Sequence, residues 1–263
     1  MIDIHSHILP GLDDGAPDWD ASLEMARMAV EDGIEAVVCT PHWVSGVSEV
    51  GPNTILELVE SFRERLTALG VDLAVHPGAE LRVDAALPYR FAEGQALTLN
   101  QSGSYALIEL PMEFIPRGME NLFYDMQVQG ITPVLAHPER NSALRTTPQK
   151  LFDWVKTGVI VQITAASLLG RFGEGIRKFS VQLMERGVVH VIATDSHGPQ
   201  VRTPVLSEAR HEAGHIVGSE EAWRMVHERP LAIIKGEVVS SPEPAIPESR
   251  SKGLLKRLAS LFR

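Results

Sequence analysis

Imidazoles and carboxylates recur along this chain, each time just after a short apolar, β-branched run. His5-Ser6-His7 follows Ile2-Asp3-Ile4, and Thr40-Pro41-His42 follows Ala36-Val37-Val38-Cys39. Gly78-Ala79-Glu80 follows Leu73-Ala74-Val75. Ala136-His137-Pro138-Glu139-Arg140 follows Thr132-Pro133-Val134-Leu135, and Thr194-Asp195-Ser196-His197 follows Val189-His190-Val191-Ile192. Nitrogen and oxygen donors of this kind suit hard or borderline divalent cations. The apolar runs read as buried strands, and in barrel-like α/β folds the C-terminal strand ends converge on one face. Ligands delivered there can meet, which points to metal-dependent hydrolysis.

Strand side chains alternate, so His5 and His7 project from the same side of the chain and can grip one ion. Asp13-Asp14-Gly15 follows closely, and of its two carboxylates Asp14 is taken as the ligand and Asp13 is left outside the site. Glu80 and Glu109 are candidate bridging carboxylates, since two oxygens can join two cations. A solvated strand end is the competing reading for Glu109. His76, His190, His211, His215 and His227 have no comparable neighbours and read as packing or surface residues. Thiol chemistry is excluded: a cysteine phosphatase needs Arg six positions after Cys, and here Ser45 follows Cys39 at that spacing. Nor is there a G-x-S-x-G elbow or a Walker loop. The glycines of Arg171-Phe172-Gly173-Glu174-Gly175 read as a plain turn.

The elements that must position these groups alternate regularly. Strands are expected over 2–4, 34–39, 71–75, 105–108, 131–135, 159–163 and 188–193. Helices are expected from about 18, 53, 119, 149 and 175, with glycine stops at Gly33, Gly70, Gly130, Gly158 and Gly187. Two more helices, near 204–216 and 220–227, would close the domain. This alternation indicates a parallel α/β architecture, and seven repeats in 263 residues favour a single barrel-like domain over two open sheets. No internal sequence repeat stands out beyond it.

The formal net charge of −10 argues against broad nucleic-acid binding, and a single cysteine fits a reducing compartment. With no apolar run long enough for a span and no basic start followed by an apolar core, residence in the cytoplasm is expected. Charge is uneven. Arg250, Lys252, Lys256, Arg257 and Arg263 against Glu248 give residues 245–263 a charge of +4, leaving −14 for the rest. Three domain segments are expected: 1–236 as the catalytic unit, 237–251 as a proline-containing flexible linker, and 252–263 as a basic amphipathic helix. Leu254, Leu255, Leu258, Leu261 and Phe262 would share one face of that helix, suited to peripheral contact with an anionic membrane surface or a partner.

The motifs MIDIHSHILPGLDDG, TPHW, GAELR, YALIEL, GITPVLAHPERN, VQITAASLLGRFGE and VIATDSHG, in this order, resemble the PHP (polymerase and histidinol phosphatase) superfamily. More closely, they are similar to its metal-dependent protein-tyrosine phosphatases of capsule and exopolysaccharide operons, the CpsB/YwqE group. The resemblance covers nearly all of residues 1–200 and implies a distorted (β/α)7 barrel with three divalent ions, Mn²⁺ first and Fe or Zn as alternatives. It implies His5, His7, Asp14, His42, Glu80, Glu109, His137, Asp195 and His197 as ligands. Arg140 and Arg202 would hold the substrate phosphate. Four ionised carboxylates against three divalent ions leave roughly +2 at the cluster, attractive to a phosphate dianion. The implied activity is phosphotyrosine hydrolysis without a phosphoenzyme, on a membrane tyrosine kinase that regulates polysaccharide synthesis. The alternatives are a small-molecule phosphoesterase such as histidinol phosphatase and a non-catalytic metal-binding scaffold. After TPH the sequence Trp43-Val44-Ser45-Gly46 leaves the shared pattern.

Overall fold

A computed structural model describes residues 1–242. The amphipathic helix expected over 252–263 and most of the expected linker lie outside these residues. The chain begins with β1 (Ile2–Ser6), α1 (Trp19–Glu31), β2 (Ala36–Cys39), β3 (His42–Trp43), α2 (Pro52–Leu69), β4 (Ala74–Pro77), β5 (Glu80–Arg82) and α3 (Leu87–Ala92). It continues through β6 (Tyr105–Glu109), α4 (Met119–Val128), β7 (Thr132–Ala136), α5 (Ser142–Thr146), α6 (Gln149–Lys156), β8 (Ile160–Thr164), α7 (Ala165–Leu168), α8 (Glu174–Glu185) and β9 (Val191–Ala193). Helices α9 (Ser207–Val217), α10 (Ser219–Trp223) and α11 (Arg229–Lys235) follow.

Every ladder between these strands is parallel, in the orders β1-β2-β4 and β3-β5-β6-β7-β8-β9. β3 continues the line of β2, and β5 that of β4, so nine strands make seven staves. Two staves are broken, by Thr40-Pro41 and by Gly78-Ala79. A side chain at Gly78 would bring a Cβ to 2.8 Å from Val38 Cγ1, so the break keeps close contact with its neighbour. The ring closes between the first and last staves, where Ser6 bridges Ser196 and Asp195 N donates to His5 O at 2.8 Å. Asp3, fully buried, reinforces that seam by accepting from both the backbone and the hydroxyl of Thr194. This is the distorted seven-stave barrel expected from the sequence.

Alternation along the staves builds two layers. Ile2, Val38, Leu107, Val134, Ile160 and Val191 pack together in the barrel interior, closed below by Ile233 and Ile234 of α11. The opposite parity, including Val37, Ala106, Leu135, Val161 and Ile192, packs with the residues of the larger outer core. Continuing the interior parity of β6 (105, 107) reaches Glu109, and that of β9 (191, 193) reaches Asp195. A register shift in β1 between Asp3 and Ser6 re-aims its end toward the same centre.

The expected strand over 71–75 lies further on, at Ala74–Pro77, and that over 188–193 shortens to Val191–Ala193. In the second case the His190 ring takes part in the pairing itself, accepting Val161 N–H at 3.1 Å. The short strands β3 and β5 were not expected, so His42 and Glu80 open strands of their own rather than ending the preceding ones. Helix starts agree closely; Asp18 caps α1 by accepting Ala21 N–H at 2.9 Å. At the base, the buried Arg229 guanidinium pairs with Glu221 at 2.7 Å and donates to Ser240 O and Ser241 O. Those bonds hold part of the 237–242 stretch against the barrel.

Candidate metal centre

All nine sequence-predicted ligands converge at the C-terminal mouth of the barrel. Their donor atoms form four overlapping groups, each within 4.8 Å: His7, Asp14, His42 and His197; His5, His7 and Glu80; His5, His137 and Asp195; His42, Glu80 and Glu109. Two residues tie the deep groups together. Glu80 Oε2 lies 2.9 Å from His42 Nδ1, 3.3 Å from His5 Nε2 and 3.4 Å from His7 Nε2, while its Oε1 accepts from His137 Nε2 at 2.8 Å. Asp195 Oδ1 lies 3.3 Å from His5 Nε2 and 3.4 Å from His7 Nε2. Asp14 stands at the exposed rim, with Oδ1 3.4 Å from His42 Nε2 and 3.3 Å from His197 Nε2.

The donor set fits divalent cations. Five imidazoles and four carboxylates, with no thiolate, are borderline-to-hard ligands. Most are buried, and His42 Nδ1 and Glu80 Oε2 face each other with neither in a hydrogen-bonding geometry. Buried polar atoms left so are costly unless something else satisfies them, and a cation between them would.

Electrostatics follow from the crowding. Burial opposes ionisation of Glu80, but His5, His137 and His42 hold its carboxyl well below the usual range. Asp195 is likewise pulled well below despite its burial, through His5, His7, His137 and Arg202. The His7 ring loses solvation, yet its bonds to Asp13, Asp195 and Glu80 raise it well above the ordinary value. For His5 the carboxylates of Glu80 and Asp195, and for His42 that of Glu80, similarly outweigh burial. His197 goes the other way: burial, then the neighbouring His7, lower it to about 4. Glu80 and Asp195, held as carboxylates, and the neutral His197 ring are thus in ligating form, whereas His5, His7 and His42 favour the protonated form and would release protons on binding metal.

Orienting groups complete the site. Gln162 Oε1 accepts from His5 Nδ1 at 3.0 Å, which turns Nε2 toward the centre. Gln162 shares the interior parity of β8 with Ile160, a position that an apolar strand reading does not mark as polar and useful. Asp13 does the same for His7 and also accepts His42 N–H. Gly15 is required by close approach: a Cβ there would lie 2.1 Å from His7 O. Arg82 donates to Glu109 at 2.8 Å, so Glu109 is no solvated strand end.

Arg140 and Arg202 both reach Asp195 Oδ2, Arg140 at 2.7 Å. They arrive from the turn after β7 and the loop after β9. His137, Asp195 and Arg202 all have positive φ, at 31°, 52° and 54°. Side chains rarely tolerate this conformation, and its concentration at one site marks backbone held in place to aim these groups. A cleft of about 390 Å³ opens beside them, lined in part by Asp14, Pro17, His197, Val201 and Arg202.

A parallel α/β barrel with clustered imidazoles and carboxylates at its mouth defines the class of metal-dependent barrel hydrolases. The chain belongs to the capsular polysaccharide synthesis family CpsB/CapC, whose family model matches residues 1–235. It is 39% identical over 242 residues to the tyrosine-protein phosphatase YwqE of Bacillus subtilis, covering 92% of this chain and 95% of that protein. It is 30% identical over 244 residues to the tyrosine-protein phosphatase CpsB of Streptococcus pneumoniae, covering 91% and 100%. A crystal structure from work on YwqE and CpsB, described there as unique metal-dependent tyrosine phosphatases, superposes with a TM-score of 0.88 at 39% identity, over 94% of this chain and all of that one.

Proposed function

We propose that this chain is a metal-dependent protein-tyrosine phosphatase whose substrate is a membrane tyrosine kinase governing capsule or exopolysaccharide synthesis. The observation that carries the reading is the four donor groups sharing Glu80, His5 and His7, with two arginines meeting on the outer oxygen of Asp195. Family membership supports the same activity, since YwqE and CpsB are named as tyrosine-protein phosphatases.

His5, His7, Asp14, His42, Glu80, Glu109, His137, Asp195 and His197 would hold three divalent ions, Mn²⁺ by preference. Bound there, the ions supply Lewis-acid polarisation of phosphoryl oxygens and lower the pKa of water. Arg140 and Arg202 bind the phosphate through their fixed N–H forks and stabilise charge on its equatorial oxygens. His5 and His7 are kept in the ligating orientation by Gln162 and Asp13. The cleft beside Asp14 and Arg202 gives the tyrosyl group an exit path away from the barrel. The departing tyrosyl oxygen, with a phenol pKa of about 10, takes up a proton from solvent or from a group at the site as it leaves.

Among the described residues no helix is long and apolar enough to cross a membrane. The reading places the barrel of residues 1–236 in the cytoplasm, with the linker 237–251 and the basic segment 252–263 bringing it to the inner membrane face where the kinase resides. The test compares turnover of a phosphotyrosine peptide with that of histidinol phosphate by the Mn²⁺-loaded protein. A strong preference for the peptide is expected; a strong preference for histidinol phosphate would move the chain to small-molecule phosphoester hydrolysis.

A further inference from the structure

One aromatic ring touches both arginines. Arg140 Cζ lies 5.0 Å and Arg202 Cζ 5.9 Å from the centroid of Phe172. Phe172 sits in the loop between α7 and α8, where the sequence reads as a plain turn. Gly170 and Gly173 on either side have φ of +76° and +97°, conformations that suit glycine and let the chain turn sharply around the ring. Arg171 in the loop donates to Glu208 at 2.7 Å, and Arg177, one turn into α8, donates to Glu212 at 2.8 Å, so the loop and the helix it feeds are both bound to α9. The ring is therefore presented from an anchored surface.

We propose that Phe172 is the positioning residue for the two phosphate-binding arginines, its face holding both guanidiniums toward the incoming phosphate. The inference rests on the reading of Arg140 and Arg202 as phosphate ligands. Two guanidiniums that converge on one carboxylate oxygen repel each other, and each long side chain loses rotamer freedom when held there. The negative face of an aromatic ring attracts both cations. It accepts none of their in-plane N–H groups in doing so, leaving those donors for Asp195 and for phosphate. An aliphatic residue of similar bulk would fill the space but supply no such attraction.

The test uses the full chain loaded with Mn²⁺ and measures the affinity for inorganic phosphate by calorimetry, alongside metal content, thermal midpoint and phosphotyrosine turnover. Phe172→Leu removes the π face and keeps an apolar side chain; Phe172→Tyr keeps the face. Phosphate affinity should fall about ten-fold in Phe172→Leu and stay within about two-fold of wild type in Phe172→Tyr, with metal content unchanged in both. In an Arg140→Ala background the effect of Phe172→Leu should shrink, because one of its two cations is gone. The same ten-fold loss with and without Arg140 would overturn the proposal, as would wild-type phosphate affinity in Phe172→Leu. Should Phe172→Leu fail to fold, Phe172→Tyr still decides, since a large loss of phosphate affinity in a variant that keeps the ring contradicts the proposed role. Absent phosphotyrosine turnover in the wild type would sink the tyrosine phosphatase reading but not the ring's role, which the phosphate comparison measures separately. A wild type that binds no phosphate would sink the role itself.

Discussion

Asp13 fixes the ring of His7: its Oδ2 lies 2.7 Å from His7 Nδ1, and the same oxygen accepts the backbone N–H of His42 at 2.9 Å. One carboxylate thus sets the direction of the two segments that carry the candidate ligands His7 and His42, and its second oxygen caps Gly15 N–H at 2.9 Å. Burial alone would raise Asp13, but His7 and the two backbone donors hold it down at about 2, so it is an anion at any working pH. It is a support for ligands and stands behind them.

Asp13→Ala should therefore weaken metal binding by about 10- to 100-fold, the usual cost of removing such a partner from a ligating histidine. Titration of the metal-stripped protein with Mn²⁺ measures it. Unchanged affinity would mean that His7 holds its orientation without Asp13.

Ligand and arginine substitutions should separate cleanly. His42→Ala and Asp195→Ala are expected to lose both metal and turnover. Arg140→Ala should keep its metal and lose roughly 100-fold or more in kcat, because a guanidinium binds phosphate and cannot ligate a cation. Elemental analysis of each purified variant beside its turnover checks this. Full activity in Arg140→Ala would remove that residue from the site.

That donor-bearing residues would meet was legible in the sequence, because metal-type side chains recur after apolar runs and a barrel gathers such strand ends at one mouth. The seven staves were legible for a related reason: buried parallel strands are continuous apolar runs. Less accessible was the way the chain uses its breaks. Pro41 and Gly78 interrupt two staves, and the two- and three-residue strands that follow are too short to leave a period, so His42 and Glu80 seemed to end strands that they in fact come after. Orienting residues were harder still. Asp13 differs from Asp14 by one position, and only the fold shows which one faces His7 and which one the rim. Gln162 looks like a polar slip in an apolar strand until His5 is placed opposite it, and Phe172 resembles any aromatic residue in a turn until two distant arginines meet over it.

Cys39 should be chemically silent. Its thiol is fully buried in β2, and burial pushes its ionisation far above neutral pH. Native protein treated with an alkylating reagent should retain full Mn²⁺-dependent activity, with mass spectrometry showing Cys39 unmodified. Loss of activity on alkylation without unfolding would contradict a mechanism free of thiol.

His190 gives the fold a pH dependence separate from the metal centre. Burial, with Arg229 beside it, lowers the ring to about 4 from an ordinary 6.5. Its Nδ1 accepts Val161 N–H, so the folded state needs it neutral. The unfolded chain binds this proton more readily, so the contribution is complete above about pH 6.5 and is lost as pH falls toward 4. His190→Asn keeps an acceptor near the Nδ1 position and removes the titration. Unfolding free energies from urea titration of the two proteins at pH 7 and pH 4.5 should show a smaller acid-induced drop in the variant by up to roughly 3 kcal/mol. Equal drops would mean that this ring does not govern the response.

The central claim is that bound metal at the barrel mouth, held by imidazoles and carboxylates, makes this chain hydrolyse phosphotyrosine. Phosphate release from a phosphotyrosine peptide, followed before chelation, after chelation and during stepwise return of Mn²⁺, tests it most directly. The account predicts activity that vanishes in the chelator and returns with added Mn²⁺, levelling off as the sites fill. Turnover that persists in the stripped protein, or a fully metal-loaded protein that leaves phosphotyrosine intact, would contradict it.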